Sequence, residues 1–200
     1  MGFKTLDTRI YAICGILAVL VMSVDVIIGI ILDPTWNFND NVICDLGVSD
    51  DATIATSFLI SCCASGILFI ISSMMWMSKD SKLMKMTGIF TILSGISLMA
   101  VGILDKTTDP VHQFMVIIYA TLFIIAIAFV CIEDIKKHNY TLVFGFAILA
   151  VYGVISLFGV FPYILTQFLL MSYVFVWYLL KCIGEFNPST ESLRRIIGLD

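Results

Sequence analysis

The sequence predicts an all-α, polytopic membrane protein, a bundle of six transmembrane helices with both termini in the cytoplasm. Three observations lead there. Of its 200 residues, 60% are hydrophobic and only 13% charged, and the mean hydropathy is +1.04. Several apolar runs approach or exceed the roughly 20 residues that cross a bilayer. The basic residues also alternate in space: Lys4, Arg9, Lys79, Lys82, Lys85, Lys136, Lys137, Lys181, Arg194 and Arg195 fall to one side of the predicted spans, and Lys106 alone to the other. Excess Lys and Arg marks the cytoplasmic side, and this distribution carries more weight than the net charge of -4.

Taken in order, helix one runs from about Arg9 to Leu32 and is closed by Asp33-Pro34. Lys4 and Arg9 precede it as in a signal peptide, but the run has no small-residue cleavage pattern, so a retained helix is expected. The loop from Asp33 to Asp51 holds Trp36, Asn37, Asn39, Asp40, Asn41, Asp45 and Asp50, and no basic residue. Helix two runs from about Ala52 to Met77, with Asp50 and Asp51 placed to cap it, and a lysine-bearing turn through Lys85 follows. Helix three runs from about Met86 to Leu104, and helix four from about Pro110 to Ile132. Helix five spans about Thr141 to Phe161, and Pro162 connects it tightly to helix six, which continues to about Ile183. Residues 1–185 are thus one transmembrane domain, and 186–200 a short cytoplasmic amphipathic tail, in which Leu193, Ile196 and Ile197 stand beside Arg194 and Arg195. Trp36 and Tyr163 are expected at the outer interface, Trp76 and Tyr140 at the inner one.

Gly88, Gly95 and Gly102 recur every seven residues and share one face of helix three, as close helix packing in lipid requires. The six cysteines show no CxxC spacing, and five lie within or beside apolar spans, so small buried hydrophobes are expected and no disulfide framework.

Asp25 stands roughly 12 Å below the outer end of helix one at 1.5 Å per residue. An ionised Asp at mid-membrane costs about 2.5–3.5 kcal/mol on insertion scales, so a polar partner inside the bundle is expected. Gln167 and Tyr173 on helix six and Ser57 and Ser61 on helix two are candidates. Asp45, Asp105, Asp109 and His112 form a second group on the outer face. Asp109-Pro110 reads as an N-cap followed by proline at the first helical position. His112 would then point into the mouth of the bundle, as general acid or base or as an interfacial polar residue.

A zinc hydrolase needs three His or carboxylate ligands with one open position, and the two histidines, His112 and His138, are predicted on opposite sides of the membrane. No P-loop, dinucleotide fingerprint, CxxCH or EF-hand spacing occurs, and nothing points to nucleic acid. Neither metal nor cofactor is expected.

Asn41-Val-Ile-Cys-Asp-Leu-Gly47 resembles the Asn-x-Ile-Ser-Asp-Leu-Gly loop after the first helix of a prokaryotic membrane family catalogued as domain-of-unknown-function family 998. Gly102-Ile-Leu-Asp105, with His112 downstream, resembles that family's Gly-x-Phe-Pro-Glu turn and following histidine. The chain departs from the pattern at Cys44 (usually Ser), Leu104 (usually Pro) and Asp105 (usually Glu). The resemblance implies Asp45, Asp105 and His112 as the catalytic site and hydrolysis of a lipid-borne head group, such as that of a glycolipid. Asp25, Trp36, Asn41, Gln167 and Tyr163 are the expected substrate contacts. Two carboxylates suffice for glycoside hydrolysis without a metal. The expectation is therefore a multi-pass cell-membrane glycosidase with membrane lipid and a lipid-linked substrate as partners. A proton- or cation-coupled carrier and a non-catalytic scaffold stand as alternatives, and the oligomeric state is open.

Overall fold

The structure is a computed structural model that describes residues 3–38, 40–104, 106–138 and 163–186 together with positions 143, 147 and 151, without the side chains of 3–7, 106 and 163–166. Five long helices carry the described fold: α1 (Phe3–Leu32), α2 (Ala52–Met77), α3 (Lys82–Ile103), α4 (Val111–Lys136) and α5 (Tyr163–Phe186). Two 3-10 turns, Ile43–Val48 and Lys106–Thr108, lie in the connections, and there is no strand among the described residues. Each long helix holds a stretch long and apolar enough to cross a membrane. The protein is all-helical and multi-pass. α5 is the predicted sixth helix. Most of the predicted fifth lies outside the described residues, although Val143, Ala147 and Val151 are helical. Asp105, Asn39, Tyr140 and the predicted tail at 187–200 also lie outside them.

The boundaries of α2 are those predicted. Asp51 accepts from Thr53 N at 2.7 Å and so satisfies one of the donors that a helix start leaves open. α1 begins earlier than Arg9, and α3 begins at Lys82 rather than Met86. At the start of α4 the predicted cap is replaced. Pro110 occupies the cap position without a side-chain bond, and Asp109 instead accepts from Gln113 Nε2 at 3.3 Å.

Helices adjacent in sequence pack against each other from α1 to α4, and α5 closes against α1. Between them Phe69, Phe123 and Tyr178 meet with ring centroids 5.1–5.6 Å apart at steep angles, the arrangement that aromatic quadrupoles favour. Tyr178 Oη and Ser72 Oγ lie 2.5 Å apart across α5 and α2. Trp76, in the last turn of α2, is 1% exposed and stacks on Trp177 at 6.2 Å and 13°, where α5 brings a second indole to cover it.

The predicted glycine face is the α2–α3 contact. A Cβ on Gly95 would stand 2.7 Å from the Gly66 carbonyl oxygen, and one on Gly66 would stand 2.6 Å from that of Gly95. Each backbone fills the notch in the other, and Gly88 and Gly102 repeat the fit against Ser73 and Leu59. Hydroxyls on these helices mostly serve their own chain. Ser72, Ser73, Thr87, Thr91 and Ser97 donate to carbonyls three or four residues earlier.

Candidate functional site

The loop between α1 and α2 is held by two carboxylates. Asp33 Oδ1 accepts from Thr35 N at 2.9 Å and from Thr35 Oγ1 at 2.6 Å, while Oδ2 accepts from Ser49 Oγ at 2.6 Å. The bond to Ser49 ties the two ends of the loop together. These donors favour the charged form, so the Ser49 hydroxyl first, then that of Thr35, hold the Asp33 carboxyl below its ordinary value of 3.8. A carboxyl lowered on folding stabilises the loop above its unfolded value and loses that contribution as the pH falls through the folded one. Asp33→Asn should therefore speed hydrogen exchange of residues 42–49 several-fold at pH 7. The gap from the parent should close in acid below 3.8; a gap unchanged by acid would remove Asp33 from this role.

Asp45, the predicted catalytic carboxylate, is turned into its own loop. Its Oδ2 accepts from Val42 N at 2.7 Å and from Asn41 Nδ2 at 3.3 Å. Asn41 Oδ1 in turn accepts from Asn37 N at 2.9 Å. Asn41 and Asp45 thus shape the Ile43–Val48 turn. Trp36 packs edge-on against Phe38 at 4.7 Å and Phe168 at 5.8 Å, covering the loop end of α5.

Beneath the turn lies a cavity of about 340 Å³, lined by Val42, Cys44, His112, Gln113, Val116, Ile117 and Gln167. His112 is 3% exposed, and its Nδ1 lies 2.5 Å from the Leu104 carbonyl oxygen. A carbonyl only accepts, so Nδ1 carries a proton, and in the neutral imidazole Nε2 then presents a lone pair. Among the described residues Nε2 is buried without a hydrogen-bond partner, and so is Gln167 Oε1 on α5. Two of the predicted residues therefore meet in one space with acceptors to offer, and among the described residues no lysine or arginine lines that space. Neither Asp45 nor Trp36 is among the lining residues. Asp105 and the side chain of Tyr163 lie outside the described residues, although the Lys106–Thr108 turn next to Asp105 packs on the Ile43–Val48 turn.

Asp25 does find polar partners, but away from this cavity and not in the bundle interior. It accepts from Ser57 Oγ at Oδ1 and from Ser61 Oγ at Oδ2, the latter at 2.7 Å. The carboxyl lies in a groove of about 410 Å³ between α1 and α2 that opens on the outer surface of the bundle.

The other end of the bundle holds a cluster the sequence reading missed. Lys181 Nζ lies 2.9 and 3.1 Å from the two Asp134 oxygens, with the side chains 1% and 2% exposed. Lys79 pairs with Glu185 at 2.5 Å, and Ser81 Oγ donates to Glu133 Oε2 at 2.9 Å. A cavity of about 240 Å³ adjoins these groups. Lys181, counted from the sequence among the basic residues of the cytoplasmic side, is a buried partner of α4.

A family model described as protein of unknown function (DUF998) matches residues 12–184. The chain belongs to that family. No curated protein and no solved structure matches it. Within this DUF998 chain no group of three or more His, Cys, Asp or Glu side chains is placed to hold a metal ion among the described residues, and none of the six cysteines is in a disulfide. One signal for the missed cluster was present. Lys181 stands alone between Leu180 and Cys182 in an apolar helix, and a lone cation there calls for a named acidic partner.

Proposed function

We propose that this DUF998 protein is a membrane-embedded hydrolase acting on a lipid-linked head group, with a glycosidic bond the one its cavity suits best. The observation that carries this reading is the pair of buried acceptors, His112 Nε2 and Gln167 Oε1, facing one cavity without partners. Buried acceptors left unmade are costly, so an occupant that donates hydrogen bonds is favoured there. A polyhydroxylated head group donates; a phosphate diester does not, and would want cations, of which the described lining has none. His112, held by Leu104 in the tautomer with Nε2 open, is set to take a proton from an attacking water. Asp105 of the family motif is the protonated acid that meets the leaving oxygen in this reading, while Asp45 holds the turn above the cavity through Val42 N and Asn41 Nδ2. Ile117, 62% exposed at the rim, offers entry from the bilayer. The basic asymmetry of the sequence supports cytoplasmic termini and a site at the outer leaflet of the cell membrane.

The test is turnover of fluorescent glycolipids by purified protein in detergent. Release of the sugar is expected, with kcat lowered about 10²–10⁴-fold in His112→Gln, the range of a lost acid–base group, and KM raised in Gln167→Ala. Absence of turnover across neutral glycolipids, or full activity in His112→Gln, would overturn the proposal. Gradient-driven uptake without turnover would make the chain a carrier instead.

A further inference from the structure

We infer that the groove around Asp25 docks a transmembrane helix of a different protein, one that presents a lysine or arginine to this carboxyl. The groove is built from the facing sides of α1 and α2. Asp25, Ser57 and Ser61 form its polar floor, and Leu20, Val24, Ile28 and Ile60 are among the residues of its apolar walls. Val24 is 50% and Ile60 60% exposed, so the walls face the space that lipid or a partner helix fills. The seam between these helices seals another polar contact completely: Ser65 Oγ donates to the Ala18 carbonyl at 3.0 Å, and Ser65 has no exposure. At Asp25 the same seam opens instead, although a carboxyl is the group that most needs cover at this depth.

Each serine hydroxyl serves one carboxyl oxygen, and a carboxylate has further acceptor positions to fill. Acyl chains have no donor for them. A cation at mid-membrane on another helix has the opposite need, and pairing lifts the desolvation of both. Charge complementarity therefore favours a basic partner helix over lipid. The described residues of a second copy supply no such cation: their lysines and arginine stand near helix ends or outside the long helices, and Lys181 is held by Asp134. The partner is thus a different chain, bearing its basic residue roughly 10 Å below the end of its helix that lies level with Leu32.

The full-length protein, labelled with an acceptor dye and reconstituted in liposomes, would be titrated with donor-labelled leucine–alanine peptides of about 20 residues. One peptide carries a single lysine near its middle, and its control carries leucine there. Energy transfer at least tenfold stronger for the lysine peptide is expected, and Asp25→Asn should bring it down to the control. Ile60→Trp, which fills the groove and keeps the carboxyl, should do the same and stands in for Asp25→Asn if that variant fails to fold. Equal transfer from both peptides, or a lysine preference that survives both substitutions, overturns the inference. So does self-association of the protein that is lost in Asp25→Asn, since that makes a second copy the occupant. None of these readings depends on turnover at the His112 cavity.

Discussion

Lys181→Met should destabilise the protein by about 3–5 kcal/mol, the cost of leaving a buried charge without its partner. Asp134 is 1% exposed, and both of its oxygens face the ammonium within 3.1 Å. Removing the cation strands that carboxylate among Trp76, Met84 and the lysine-rich turn. The double variant Lys181→Met with Asp134→Leu should recover much or all of the loss, because two apolar side chains of similar bulk escape the desolvation both charges carry. Thermal unfolding followed by size-exclusion fluorescence in detergent would read both. If the single variant melts with the parent, water already reaches the pair through the adjoining cavity. If the double variant is no better than the single, the cluster around Glu133 and Lys79 needs the charges themselves.

Gly95→Leu is the second large effect. A methyl group alone at this position would sit 2.7 Å from the Gly66 carbonyl oxygen and 2.9 Å from Ile70 Cγ1. The first of these is backbone and cannot rotate aside. Overpacking of this kind costs about 1–3 kcal/mol for small additions, and leucine extends the clash by three more carbons. Loss of the α2–α3 contact and a fall in melting temperature larger than that of Gly95→Ala are expected from the same assay. A Gly95→Leu protein that melts like its parent would mean the two backbones are not in contact at this notch.

How much of this was legible depends on whether a signal was local. The bounds of α2 were readable because the Asp51 cap and the polar turn after Met77 are written within a few residues of the helix. The glycine notches were readable because a seven-residue repeat puts them on one face. The far end of α4 was not. Glu133 and Asp134 look like the end of a span, and the residue that lets the helix run on to Lys136 lies 47 positions later. Asp45 misled in the other direction. Its bonds to Val42 and Asn41 are local enough to have suggested a capping role, but chemistry was the stronger prior for an acid in a family motif. His112 and Gln167 were found as polar residues at one end of the bundle, while their orphaned atoms needed coordinates. The placement of Asp25 on an outward seam could not be read from hydropathy. Lipid and protein interior are equally apolar, so a span such as α1 carries no stripe to say which face is which.

The bonds from Ser57 and Ser61 to Asp25 also bear on the order in which the chain is built into a bilayer. α3 carries no carboxyl, and Thr87, Thr91 and Ser97 donate within their own helix, with Ser94 alone of its hydroxyls turned to an α4 carbonyl and not to a carbonyl of α3. α1 is different: the donors that meet its acidic side chain come from α2, 32 and 36 residues further along. Until that segment has emerged from the ribosome, the first helix carries a group the lipid does not solvate. The two are therefore best inserted together as a hairpin, with the later helix making the earlier one acceptable to the membrane.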